Sequence, residues 1–161
     1  TLDRSSAASD VYKRQEFVAS LGSDDKSKEL KDLLDEIADM SARITVTEKD
    51  LKRTPSFSVN RPGEETGVTF AGIPLGHEFN SLVLAILQVS GRAPKEKQSV
   101  IDQIKGLEGP FHFETFVSLT CQKCPDVVQA LNLMSVINPN ITHTMIDGAV
   151  FREESLSLIH I

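Results

Sequence analysis

Two cysteines stand three residues apart in Thr120-Cys121-Gln122-Lys123-Cys124-Pro125, and they are the only cysteines in the chain. The stretch before them, Phe111-His112-Phe113-Glu114-Thr115-Phe116-Val117-Ser118-Leu119, reads as a strand. Pro125 sits where a helix begins, a position at which its missing N–H costs nothing. A strand that ends directly in Cys-x-x-Cys at a helix start places the first sulfur over free backbone N–H groups and the positive end of the helix dipole. Both favour thiolate over thiol, and thiolate is the nucleophile in disulfide exchange. Two intervening residues let one helical turn bring the second sulfur close enough to resolve a mixed disulfide formed at Cys121. Lys123 adds positive charge to the same loop.

The pair has other readings. Half of a zinc site needs two further ligands, and His77, His112 and His143 stand at no ligand-like spacing. A structural staple is the third reading, one that a reducing compartment disfavours. Redox exchange is the expected chemistry, with no metal and no bound cofactor. His112 and His143 fall in strand patterns and read as structural.

The chain of 161 residues carries a formal charge of −6, so nucleic acid is not the expected partner. No apolar run approaches the roughly 20 residues of a spanning helix, and no apolar segment follows the basic residues near the start as a signal peptide would require. A soluble cytoplasmic protein is expected. Asp10-Val11-Tyr12-Lys13-Arg14-Gln15 and Leu156-Ser157-Leu158-Ile159-His160-Ile161 can be encoded by DNA strings that are reverse complements of each other, and the string resembles a transposon end used in sequencing libraries. Residues 1–15 and 156–161 are therefore expected to be translated adapter, and 16–155 a natural segment of something longer.

The elements that must position the cysteines follow from periodicity. Residues 17–21 read as a strand. Asp24–Ser41 reads as an amphipathic helix with Leu30, Leu33, Leu34, Ile37 and Met40 on one face. Ile44–Thr47 reads as a strand, Ser56–Val59 and Val68–Ala71 as a hairpin, and His77–Val89 as a helix. Ser90–Pro94 breaks the chain. A helix over Lys95–Leu107, the strand and Cys-x-x-Cys, a helix to Ile137 and a strand over Ile141–Asp147 complete the order. The class is α/β. The second half starts the strand–helix–strand order of the first, but its hairpin and closing helix are missing.

Phe70-Ala71-Gly72-Ile73-Pro74-Leu75-Gly76-His77-Glu78-Phe79, Ser81-Leu82-Val83-Leu84-Ala85, Phe113-Glu114-Thr115 and, above all, Cys124-Pro125-Asp126-Val127-Val128-Gln129-Ala130-Leu131-Asn132-Leu133-Met134-Ser135-Val136 carry a resemblance. Residues 16–155 resemble the N-terminal domain of the flavoprotein component of bacterial alkyl hydroperoxide reductases. The resemblance implies tandem thioredoxin-like folds, 16–92 without cysteines and 93–155 with the Cys-x-x-Cys and truncated. It implies an electron relay in which NADH reduces FAD, FAD reduces a second disulfide, that disulfide reduces this one, and this one reduces a peroxiredoxin that destroys peroxides. Cys121 is then the attacking thiol and Cys124 the resolving one. FAD and NADH belong to a C-terminal part absent here, in keeping with the lack of a Gly-x-Gly-x-x-Gly fingerprint. The parent protein is implied to be a homodimer. Glu78 is implied to be an acidic residue of the first fold that faces the cysteines and takes a proton from the resolving thiol; read from the residues alone it is equally an exposed first-turn glutamate. Thr54-Pro55 falls where thioredoxin-like folds place a cis-proline. The alternative function is a stand-alone thioredoxin- or glutaredoxin-like disulfide reductase.

Metal analysis and thiol titration separate the chemistries. A redox pair predicts no stoichiometric zinc and two titratable thiols that appear only after reduction; a full equivalent of zinc with unreactive thiols would select the zinc module.

Overall fold

The computed structural model describes residues 14–158. Six strands form one sheet in the order β2-β1-β3-β4-β6-β5. They are β1 (Gln15–Ser20), β2 (Ile44–Glu48), β3 (Ser56–Asn60), β4 (Val68–Ala71), β5 (Phe111–Val117) and β6 (Ile141–Asp147). The helices are α1 (Asp25–Asp39), α2 (Phe79–Val89), α3 (Gln98–Lys105), α4 (Cys124–Ile137) and α5 (Arg152–Ser157), with a 3-10 turn at Gly76–Glu78. Gln15, assigned above to the leading adapter segment, opens β1 in register with Ile44 and donates its Nε2–H to the Ile86 carbonyl at 2.7 Å. The rest of the leading segment lies outside the described residues apart from Arg14.

β1 pairs in parallel with β2, β4 with β6, and β6 with β5, while β3 is antiparallel to both its neighbours. Every strand except β3 therefore runs the same way. The crossovers β1–α1–β2 and β5–α4–β6 connect parallel neighbours. α1 and α4 both pack on the sheet face that carries the main core. There Phe17, Phe57 and Phe70 form a row, with ring centroids 5.7 and 5.4 Å apart. Leu30, Leu34 and Ile37 of α1, Leu82, Ala85 and Val89 of α2, and Val128 of α4 pack with them in one core cluster. Alternation in β3 sends Phe57 and Val59 into that core, while Ser56, Ser58 and Asn60 join Thr69, Thr142 and Thr144 along a groove on the opposite face.

Local chemistry sets the helix ends. Asp24 caps α1, accepting from the Ser27 N–H at 3.3 Å and the Ser27 hydroxyl at 2.6 Å. α3 starts at Gln98 rather than Lys95. Asn138 holds its end, Nδ2 donating to Ile104 O at 2.8 Å in the last turn and to Leu107 O at 3.0 Å just beyond it. The Thr54–Pro55 peptide is cis, as is Gly109–Pro110.

His143 pins β6 to its neighbours. It is fully buried; its Nδ1–H donates to Asn132 Oδ1 of α4 at 2.7 Å, which leaves Nε2 to accept the Thr115 hydroxyl of β5 at 2.8 Å. Burial pushes its pKa down to about 4. An unfolded chain takes up this proton near pH 6.5, while the fold resists it until about pH 4. The neutral imidazole thus contributes stability above pH 6.5 that is lost as pH falls through that window, on the order of 3 kcal/mol in all. Urea titrations from pH 7 to 4 should show this loss, and His143→Gln should flatten it.

Candidate functional site

β5 ends at Val117, and residues 118–123 turn the chain into α4, which begins at Cys124 with Pro125 in its first turn. Ser118 and Thr120 share a hydroxyl contact at 3.0 Å, and Cys121 N–H donates to the Ser118 carbonyl at 3.0 Å. Cys121 and Cys124 form a disulfide with Cα atoms 5.6 Å apart. The Cys124 N–H, one of the helix-start donors without an intrahelical acceptor, points at Cys121 Sγ at 3.2 Å. A helix N-terminus and a backbone N–H aimed at a sulfur are features that favour a thiolate there. The two sulfurs are not equivalent. Both cysteines are half-buried, but Cys124 packs against the core cluster and Cys121 does not. Lys123 is exposed.

The first half of the chain reaches this loop through the turn after β4. His77 N–H donates to the Leu119 carbonyl at 3.0 Å, two residues before Cys121. The expected helix start at His77 is a 3-10 turn over Gly76–Glu78, and the α-helix begins at Phe79. Gly76 has φ +57°, and a Cβ there would meet Leu119 O at 2.8 Å, so only glycine lets the two backbones approach this closely. Behind the turn α2 packs against α4, with Gln129 Nε2 donating to Ser81 Oγ at 3.3 Å.

Glu78 sits in that turn and is 0% exposed, which excludes the solvated first-turn glutamate. Neither carboxylate oxygen has a hydrogen-bond partner among the described residues. Desolvation raises its pKa above the ordinary carboxylate value, with the nearby Ser81 and His77 opposing in part. The structure therefore brings the turn holding Glu78 against α4 and the cysteine loop. His112, on the edge strand, bonds to Thr142 at 2.7 Å, and His143 belongs to the core network. No group of three or more metal-ligating side chains occurs among the described residues.

Two features had no signal in the sequence. An open cleft of about 850 Å³ borders the cysteine loop, lined by Thr54, Pro55, Ser118, Leu119, Thr120 and Asp147. Arg53, just before it, has an almost wholly buried side chain and binds Glu154 of α5 through Nε at 2.9 and 3.0 Å and Nη2 at 2.6 Å, and also Glu114 of β5. No helix of the described residues is long and apolar enough to cross a membrane.

Because Glu78 is held protonated more readily in the fold than in the unfolded chain, stability should fall as pH rises from the ordinary carboxylate value through its raised pKa. Glu78→Gln should remove that fall and be more stable than the parent at neutral pH, as read by urea midpoints across pH 4 to 8.

Among known proteins, the chain is 91% identical over 144 residues to AhpF, the F component of alkyl hydroperoxide reductase, from Staphylococcus epidermidis, and 88% identical to that of Staphylococcus aureus. The matches cover 89% of this chain but only 28% of each relative. In structure it is similar to the NTD_N/C domain of alkylhydroperoxide reductase AhpF from Enterococcus faecalis, with a TM-score of 0.85 and 33% identity over 98% of this chain and 82% of that one. A protein disulfide oxidoreductase from Aeropyrum pernix shares the fold, with a TM-score of 0.76 and 17% identity over 96% of this chain and 78% of that one. No family model matches the chain.

Proposed function

The chain belongs to the AhpF family of alkyl hydroperoxide reductase components, as its N-terminal thioredoxin-like part, and on that premise we propose that it relays electrons by thiol–disulfide exchange from a flavin-bearing remainder of the protein to a peroxiredoxin. The observation that carries this reading is the Cys121–Cys124 disulfide at a helix start, with the Cys124 N–H aimed at Cys121 Sγ.

In the reduced relay Cys121 is a thiolate and Cys124 a thiol. Cys121 Sγ attacks one sulfur of the peroxiredoxin disulfide; that S–S bond breaks, its other sulfur leaves as thiolate, and a mixed disulfide forms. Cys124 then loses its proton, attacks Cys121 Sγ and expels the remaining peroxiredoxin sulfur. Two electrons pass to the partner. The proton released when Cys121 ionised and the one released by Cys124 supply its two thiols. The packing of Cys124 on the core, which Cys121 lacks, supports this order of attack. Glu78, with a raised pKa and no hydrogen-bond partner, is suited to accept the Cys124 proton. The flavin-bearing remainder would supply the two electrons and two protons that return Cys121 and Cys124 to the dithiol. The same reading places the parent protein in the cytoplasm as a homodimer. It divides the chain into a first fold over 16–92 and a second over 93–155, with adapter-derived ends at 1–15 and 156–161; the repeated strand–helix–strand unit supports two folds.

Full-length protein carrying Cys121→Ser should keep NADH-driven flavin reduction and lose peroxiredoxin reduction by about 100-fold or more, a loss of the nucleophile that nothing else replaces. Peroxiredoxin reduction at the parent rate would refute the role of Cys121.

A further inference from the structure

α2 is apolar nearly all round. Phe79-Asn80-Ser81-Leu82-Val83-Leu84-Ala85-Ile86-Leu87-Gln88-Val89 contains no charged residue, whereas α1 has nine in fifteen positions. Leu82, Ala85 and Val89 face the core. Phe79, Val83 and Leu87 do not: they are 42%, 40% and 37% exposed. Spaced by four, they form a stripe about 12 Å long down one side of the helix. Ser81, which meets Gln129 of α4, lies two residues from both Phe79 and Val83, so the stripe points away from α4. A helix without a charged face is ordinarily covered, and nothing among the described residues covers this side.

Resting on the relay reading above, we propose that this stripe is the docking face for the flavin-bearing remainder of the same protein during electron delivery. The relatives extend well beyond the matched segment, which is 28% of their length, so most of the parent chain is available to cover it. The stripe begins at Phe79, directly after the turn that touches the cysteine loop, and an occupant seated there is at the redox end of the molecule. Three half-exposed side chains offer a few hundred Å² at most, well below the roughly 1,200 Å² of a stable free pair. A module on the same chain needs no such area, because tethering holds it at an effective concentration near the millimolar range. A diffusing partner gains its encounter rate from charge, which α2 lacks entirely. A permanent cover would also close the disulfide to its downstream partner, so the contact is one made and released in each cycle. In it a dithiol of the module passes two electrons and two protons to the Cys121–Cys124 disulfide.

The test uses the full-length protein. Val83→Asp should slow NADH-driven reduction of the Cys121–Cys124 disulfide at least ~10-fold, because docking would bury an unpaired carboxylate. Val83→Thr, which any exposed helix position accepts, should slow it less, and Lys28→Asp on charged α1 should leave it unchanged. Reduction of the same disulfide by dithiothreitol should be equal in all four proteins, which establishes that the fold is intact. Transfer from dithiothreitol-reduced protein to peroxiredoxin should also be unaffected. If Val83→Asp and Val83→Thr both match the parent, or if only the peroxiredoxin step or dimerisation suffers, the docking proposal is overturned while the relay stands. A parent protein whose Cys121–Cys124 disulfide is not reduced by NADH would overturn the relay and this proposal with it.

Discussion

Four residues of β4 lie in register with four of β6, from Val68 beside His143 to Ala71 beside Ile146, and this parallel seam joins the two halves of the chain into one sheet. It sets the height at which β4 ends relative to β5 and β6. The turn at Gly76–Glu78 therefore emerges level with the loop that carries Cys121. Gly76 then allows contact with the Leu119 carbonyl at a distance that a side chain would forbid. A cysteine-free half of the molecule thereby becomes part of the environment of the cysteines.

The energetics around that seam are divided between apolar packing and a small set of buried polar groups. Phe17, Phe57 and Phe70 lie on β1, β3 and β4, the strands that lead to it, and burying side chains of this size supplies the main driving force. His143 sits on the seam itself and is fully satisfied by Asn132 and Thr115. Glu78 is the opposite case: it is buried, it has no hydrogen-bond partner, and its raised pKa records the cost. A buried carboxyl group with a raised pKa in the turn that touches the cysteine loop is the kind of perturbed group that marks a candidate site. Arg53, Glu114 and Glu154 tie the loop before Thr54–Pro55 to β5 and α5.

Much of the element order was legible in the sequence because it rests on short-range rules. The spacing of Leu30, Leu34 and Ile37 marked α1, and Pro125 marked the start of α4. The differences lie where long-range contacts override local preference. His77 reads as the start of the α-helix, yet it lies in a 3-10 turn whose N–H bonds to Leu119 O; Lys95–Lys97 read as helical, yet the helix begins at Gln98. Glu78 had two readings of equal standing. A residue far from the cysteines in the chain, in an otherwise plain helix start, gives no local sign of burial; only the docking of α2 on α4 removes it from water.

What the residues determined by themselves was the chemistry: two cysteines one helical turn apart after a strand, a context in which the first sulfur is stabilised as thiolate by backbone donors that any helix start supplies. That follows from covalent spacing and local hydrogen bonding, and needs no knowledge of the rest. What only the tertiary structure decided was which sulfur is sheltered, whether Glu78 is solvated, and which side of α2 is left uncovered. These depend on desolvation and on strand register between segments distant in the chain, and neither is written in local periodicity.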